Sequence, residues 1–120
     1  MLIKSLSQIE SFIAGDKTII REWLHPKNDS VEIAYSVAFA EVEPGNASLP
    51  HTLNNSSELY IILEGEGLMH IDQETQIVRN GDLIFIPAGA EQFIENTSEH
   101  NLRFICIVSP PWRSDDEVVF

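Results

Sequence analysis

The chain has 120 residues, 43% of them apolar, and seven basic against nineteen acidic residues give a formal charge of −12. That length suits one domain with its own core, and the composition is that of a globular chain rather than a disordered one. A surface this acidic repels phosphate backbones and anionic lipids, which argues against nucleic-acid and membrane-surface partners.

In chain order, the N-terminus reads Met-Leu-Ile-Lys-Ser-Leu-Ser-Gln-Ile-Glu and lacks the long apolar stretch of a secretion signal. A cytoplasmic location is therefore expected. Ser7 and Glu10 have the spacing of a capping box, which predicts a short helix that Gly15-Asp16 would end. Thr18–Leu24 supplies an apolar strand. From Val31 to Val42 the large residues Val31, Ile33, Tyr35, Val37 and Phe39 alternate with smaller or polar ones, the period of a strand. Strand-like runs follow at Glu58–Leu63, Gly67–Asp72, Gln76–Arg79, Asp82–Ile86, Glu91–Glu95 and Leu102–Val108. Turn residues separate them, as at Pro44-Gly45, Glu64-Gly65-Glu66-Gly67, Asn80-Gly81-Asp82 and Pro87-Ala88-Gly89. Many short strands at this spacing mean a sandwich or a barrel. The tail, Pro110-Pro111-Trp112 followed by Ser114-Asp115-Asp116-Glu117, cannot continue a central strand. It suits a helical turn laid against the barrel, anchored by Trp112. Apolar runs such as Tyr60–Leu63 and Leu83–Ile86 are too short to span a bilayer. Cys106 is the only cysteine, and within Phe104–Val108 it reads as core packing.

Two sets of spacings carry a family resemblance. Gly45 precedes His51 by six positions, Glu58 follows His51 by seven, and Gly65 follows Glu58 by seven. Later come Gly81, then Pro87-Ala88-Gly89, Gln92 and Asn96. These resemble the two sequence motifs of the cupin superfamily. The resemblance implies an all-β fold, a double-stranded β-helix or jelly-roll barrel with short terminal helical segments. It also implies a single domain over residues 1–120. The motif core covers 45–96, an N-terminal extension 1–30 and a C-terminal tail 109–120. Small cupins pair, so a homodimer through N-terminal strands and apolar barrel faces is expected.

Cupins typically hold one divalent metal through three His and one Glu. Carried over residue by residue, His51 matches the first His and Glu58 the Glu, whereas Leu53 and Gln92 stand where the other two His belong. Leucine cannot bind a metal; glutamine offers a neutral, rather weak amide oxygen. The implied metal set is His51, Glu58 and Gln92, with zinc, manganese, nickel or iron as the possible ion. Strand parity puts His51 with Leu53, Glu58 with Tyr60, and Gln92 with Ile94 on shared faces, which in a cupin point inward. The interior then resembles a ligand pocket, with apolar walls and a few converging polar groups. His51, Glu58 and Tyr60 are the candidate catalytic residues. Each also has a structural reading: His51 and Glu58 could satisfy one another without metal, and Tyr60 and Gln92 could be core. His25 reads as a surface turn residue or a cap on the barrel mouth, His70 as an exposed strand residue, and His100 as a solvated turn residue.

The expected function is binding of a small polar metabolite, a carboxylic acid or sugar, in the barrel, with a divalent metal on an incomplete ligand set. An isomerase, lyase, decarboxylase or dioxygenase would fit such a site. The alternatives are a metal-free binding or sensing module and a metal-free isomerase using His51 as base. Fold alone does not choose among them.

Overall fold

The period-two patterns and turn residues resolve into eleven strands. A computed structural model describes all of residues 1–120. The strands are β1 (Phe12–Ile13), β2 (Ile19–Leu24), β3 (Ser36–Val42), β4 (His51–Leu53), β5 (Ser57–Glu64), β6 (Glu66–Ile71), β7 (Glu74–Arg79), β8 (Leu83–Ile86), β9 (Gln92–Asn96), β10 (Leu102–Ser109) and β11 (Glu117–Val119). They form two antiparallel sheets. One runs β1-β2-β3-β10-β5-β8, the other β11-β4-β9-β6-β7. This is the jelly-roll arrangement, and the only helical pieces are one 3-10 turn near each end, Leu6–Gln8 and Ser114–Asp116.

One core lies between the sheets. Alternate residues of β5 and β10 point inward, so Tyr60 and Ile62 meet Phe104 and Cys106. The rings of Tyr60 and Phe104 lie 4.5 Å apart. Ile86 joins them from β8 of the same sheet, and Met69, Val78 and Ile94 from the facing one. The turn that carries the chain from β5 in one sheet to β6 in the other depends on glycine. Gly65 has φ +90°, and a Cβ there would stand 2.9 Å from the Asn101 carbonyl oxygen. A Cβ on Gly67 would stand 2.7 Å from the Glu95 carbonyl oxygen.

Three segments differ from the sequence reading. The N-terminal helix is reduced to the turn at Leu6–Gln8, and no Ser side chain caps it. Its carbonyls are taken by β2 instead: Trp23 Nε1 donates to Lys4 O at 2.8 Å, and Arg21 Nε donates to Ile9 O at 3.1 Å. A segment this short has too few internal hydrogen bonds to compete. The strand expected from Val31 begins at Ser36, because its partner β10 ends its pairing there, at Val108↔Ser36. The tail forms its helical turn and then adds β11, which pairs antiparallel with β4 at the sheet's edge. No helix is long and apolar enough to cross a membrane.

Candidate metal and ligand site

His51 opens β4 and is buried. Its Nδ1 lies 2.7 Å from the Leu49 carbonyl oxygen. A carbonyl only accepts, so Nδ1 carries the proton and donates, and Nε2 is left with no hydrogen-bond partner. The charged atom facing it is Asp16 Oδ2, at 3.6 Å.

Asp16 sits in the turn between β1 and β2 and is also buried. Its Oδ1 accepts from the Thr18 amide at 3.1 Å and from Thr18 Oγ at 2.6 Å. This local Asx turn leaves Oδ2 aimed at His51. The Leu49 amide donates to the Asp16 carbonyl at 2.7 Å, so the turn is tied to the residues that position His51.

Glu117 opens β11, opposite Leu53 of β4. Trp112 Nε1 donates to its Oε2 at 2.9 Å. The neighbouring carboxylate, Asp116, is buried and fastens the tail to the β4–β5 turn. It accepts from the Asn55 amide at 2.9 Å, Asn55 Nδ2 at 2.8 Å and the Ser56 amide at 3.2 Å. One ligand atom from each of Asp16, His51 and Glu117 lies within 4.8 Å of the others.

A second group lies deeper. Tyr60 donates its hydroxyl to Gln92 Oε1 at 2.9 Å, and both side chains are buried. Glu58 is buried beside them. Burial pushes its carboxyl up to about 8, the Gln92 hydrogen bond pulls it partly back, and the charges of Asp16 and Glu117 push it up again. Burial likewise raises Glu117, against the lowering effects of His51 and the Trp112 hydrogen bond. Burial and then the Glu58 charge raise the Tyr60 hydroxyl and the Cys106 thiol.

His51, Asp16, Glu117, Glu58 and Tyr60 all line one cavity of about 120 Å³ between the sheets, together with Leu53, Phe104 and Trp112. Of the residues singled out in the sequence, Glu58, Tyr60 and Gln92 form one buried cluster. His51 shares their cavity and is the Cα partner of Gln92 across β4 and β9, but its imidazole faces Asp16 and Glu117. Those two acids went unnoticed in the sequence because both lie outside the motif window.

The remaining histidines are elsewhere. His25 is buried, not a surface residue; its Nδ1 accepts from the Lys27 amide at 3.0 Å and its Nε2 faces the Trp112 carbonyl oxygen at 2.8 Å. It therefore pins the tail at the barrel mouth. His70 is half-buried, 2.6 Å from Glu95 and stacked on Phe93 at 3.9 Å. His100 is exposed.

Residues 38–108 match the family model described as a cupin domain. The chain belongs to the cupin family. This cupin is 40% identical over 109 residues to an uncharacterised protein of Methanocaldococcus jannaschii, covering 91% of this chain and 86% of the relative. A Thermotoga maritima protein named oxalate-binding protein is 31% identical over 68 residues, which cover 57% of this chain and 56% of its own. A crystal structure from Thermotoga maritima, described as a predicted oxalate decarboxylase, superposes with a TM-score of 0.81 at 22% identity. It covers 91% of this chain and 99% of that one; at that identity the likeness concerns the fold.

Cupins often hold a metal, and this cupin has donors that fit one. Leu53 offers nothing, and the Gln92 amide oxygen already accepts from Tyr60. Asp16 and Glu117 bring two hard carboxylates beside the free Nε2 of His51, a donor set suited to a divalent ion.

Proposed function

We propose that this cupin binds a small oxygen-rich metabolite through a divalent metal held by Asp16, His51 and Glu117. The observation that carries the reading is the state of His51. Its Nδ1 is committed to Leu49, its Nε2 has no hydrogen-bond partner, and two carboxylates converge on it. An imidazole nitrogen of a buried histidine, left without a hydrogen bond beside two acids, is what a metal ligand requires. Bound there, the ion would polarise a substrate oxygen or hold a carboxylate. Glu58, kept protonated near neutral pH by its burial, supports a role as proton donor. Tyr60 and Gln92 hold that carboxyl's surroundings in place.

Calorimetric titration of untagged protein with Mn²⁺ tests this. One equivalent should bind, and Asp16→Asn, His51→Ala and Glu117→Gln should each weaken it by at least about tenfold. If the native protein takes up no metal, or the variants bind it equally well, the reading fails. The His51–Asp16 approach of 3.6 Å then favours the metal-free alternative, in which a protonated His51 is paired with its acids. That alternative predicts ligand binding or isomerase activity that follows a histidine titration and ignores chelators.

A further inference from the structure

The cavity wall carries four carboxyl groups, Asp16, Glu22, Glu58 and Glu117, and one imidazole, but no lysine or arginine. With Glu58 protonated, a divalent ion on Asp16, His51 and Glu117 would offset the charges of its two carboxylate ligands and leave that of Glu22. A ligand entering afterwards meets the ion as its one cation, in a largely apolar space with no lysine or arginine for a second charge, and an unpaired buried charge is heavily penalised.

Size narrows the ligand further. The cavity holds about 120 Å³, and an apolar cavity of comparable size accepts a molecule of about six non-hydrogen atoms. A hexose is far larger. Ile20, Ala38, Ala40 and Phe104 make a largely apolar stretch of the wall that offers no hydrogen bond to a second polar group, and the acid set among them is Glu22, the cross-strand partner of Ala38. A dicarboxylate would place its distal oxygens against that wall or beside Glu58.

We propose, on the metal-site reading given above, that the cavity takes a small chelating monocarboxylate with a short aliphatic substituent, a 2-hydroxy or 2-oxo acid, and discriminates against dicarboxylates such as oxalate. The two adjacent oxygens engage the ion, the single charge is the least that a carboxylate ligand can bring, and the substituent packs on Ala38 and Ala40. The preference runs against the intrinsic chemistry of the ion, because oxalate is the stronger chelator of free divalent metals. Only the cavity could reverse that order.

The experiment is a calorimetric titration of Mn²⁺-loaded protein with lactate and, separately, with oxalate, two probes with the same number of non-hydrogen atoms. Lactate should bind at least about tenfold more tightly to the protein-held ion. Oxalate should bind weakly or strip the metal. In Ala38→Val, which narrows the apolar wall, lactate binding should weaken while the Mn²⁺ titration stays unchanged. If oxalate forms the tighter ternary complex, if neither acid binds the loaded protein, or if Ala38→Val leaves lactate unaffected, the ligand class is wrong while the metal site stands. If the native protein takes up no Mn²⁺, the metal site and this proposal both fall.

Discussion

Replacing Glu58 by Gln should stabilise the protein at alkaline pH and do little at acid pH. The carboxyl lies between the sheets with its pKa moved from an ordinary 4.5 to about 8, mainly by burial. In the unfolded chain it ionises near the ordinary value. Between those two pH values the native state therefore holds one proton more than the unfolded state. Native stability from this group is intact at low pH and is lost as the pH rises towards the folded pKa, with a slope of at most about 1.4 kcal/mol per pH unit. Across the whole window that amounts to roughly 5 kcal/mol as an upper bound; relaxation and water entry through the cavity reduce the effect to about 2–3 kcal/mol. Glutamine keeps the shape, presents an amide to Gln92, and does not titrate. Urea denaturation of both proteins from about pH 5 to about pH 9 measures the effect. Their stabilities should be close at the acid end and should diverge in favour of Glu58→Gln as pH rises. A difference independent of pH, or one that grows towards acid pH, would refute the placement of a neutral Glu58 in the barrel.

Other outcomes follow from the same geometry. Asp116→Ala removes three hydrogen bonds that fasten the tail to Asn55 and Ser56. It should weaken Mn²⁺ binding by at least about tenfold, although Asp116 is no ligand, whereas loss of the exposed Asp115 carboxylate should not; equal titrations in the two variants would disprove it. Leu53→His with Gln92→His restores the usual cupin set of three His and one Glu. Zinc and nickel should then bind orders of magnitude more tightly, and less so below neutral pH, where the imidazoles are protonated; calorimetry showing no gain in a folded double mutant would mean that these positions do not converge with His51 and Glu58. A homodimer should appear in light scattering at micromolar concentration. The strand β1 is an open edge with Phe12 and Ile13 exposed, and Leu83 and Phe85 are 60% and 58% exposed on the outside of β8. A monomer mass would contradict it.

The barrel was legible because its cues are local. Alternation fixed which residues of β5 and β10 face inward, and the glycines of the turn from β5 to β6 occupy places no side chain can fill. The same parity placed His51, Leu53, Glu58, Tyr60 and Gln92 in the interior. What it could not show was which way the His51 ring turns, since that depends on the carbonyl of Leu49. Asp16 was read only as the end of a helix. The turn that makes it a buried acid joins β1 to β2, with the Ala14 amide bonded to the Thr18 carbonyl and Thr18 donating to the Asp16 carboxylate. Glu117 looked like one more charge in an acidic tail. Its position follows from the adjacent Asp116, whose partners lie 60 and 61 residues away in the chain. Contacts of that range leave no periodic trace in a single sequence.

The three donors come from an N-terminal turn, the motif core and the C-terminal strand, and this arrangement ties ligand capture to the order of the tail. The strand β11 is three residues long, lies at the edge of its sheet, and pairs only with β4. Such an edge is the kind of element that opens well below the free energy of global unfolding. When it opens, Glu117 leaves the site together with the Trp112 indole that supports it, and His51 keeps Asp16 alone. A metal bound to all three would hold the tail closed by the same free energy with which the closed tail strengthens the metal, because coupling between two equilibria is reciprocal. Amide exchange in β11 should therefore slow on adding Mn²⁺, while exchange in β5 and β10, which lie in the middle of the other sheet, should change little. Slowing spread evenly over all strands would instead mean that the ion stabilises the barrel as a whole and that the tail is no separate element.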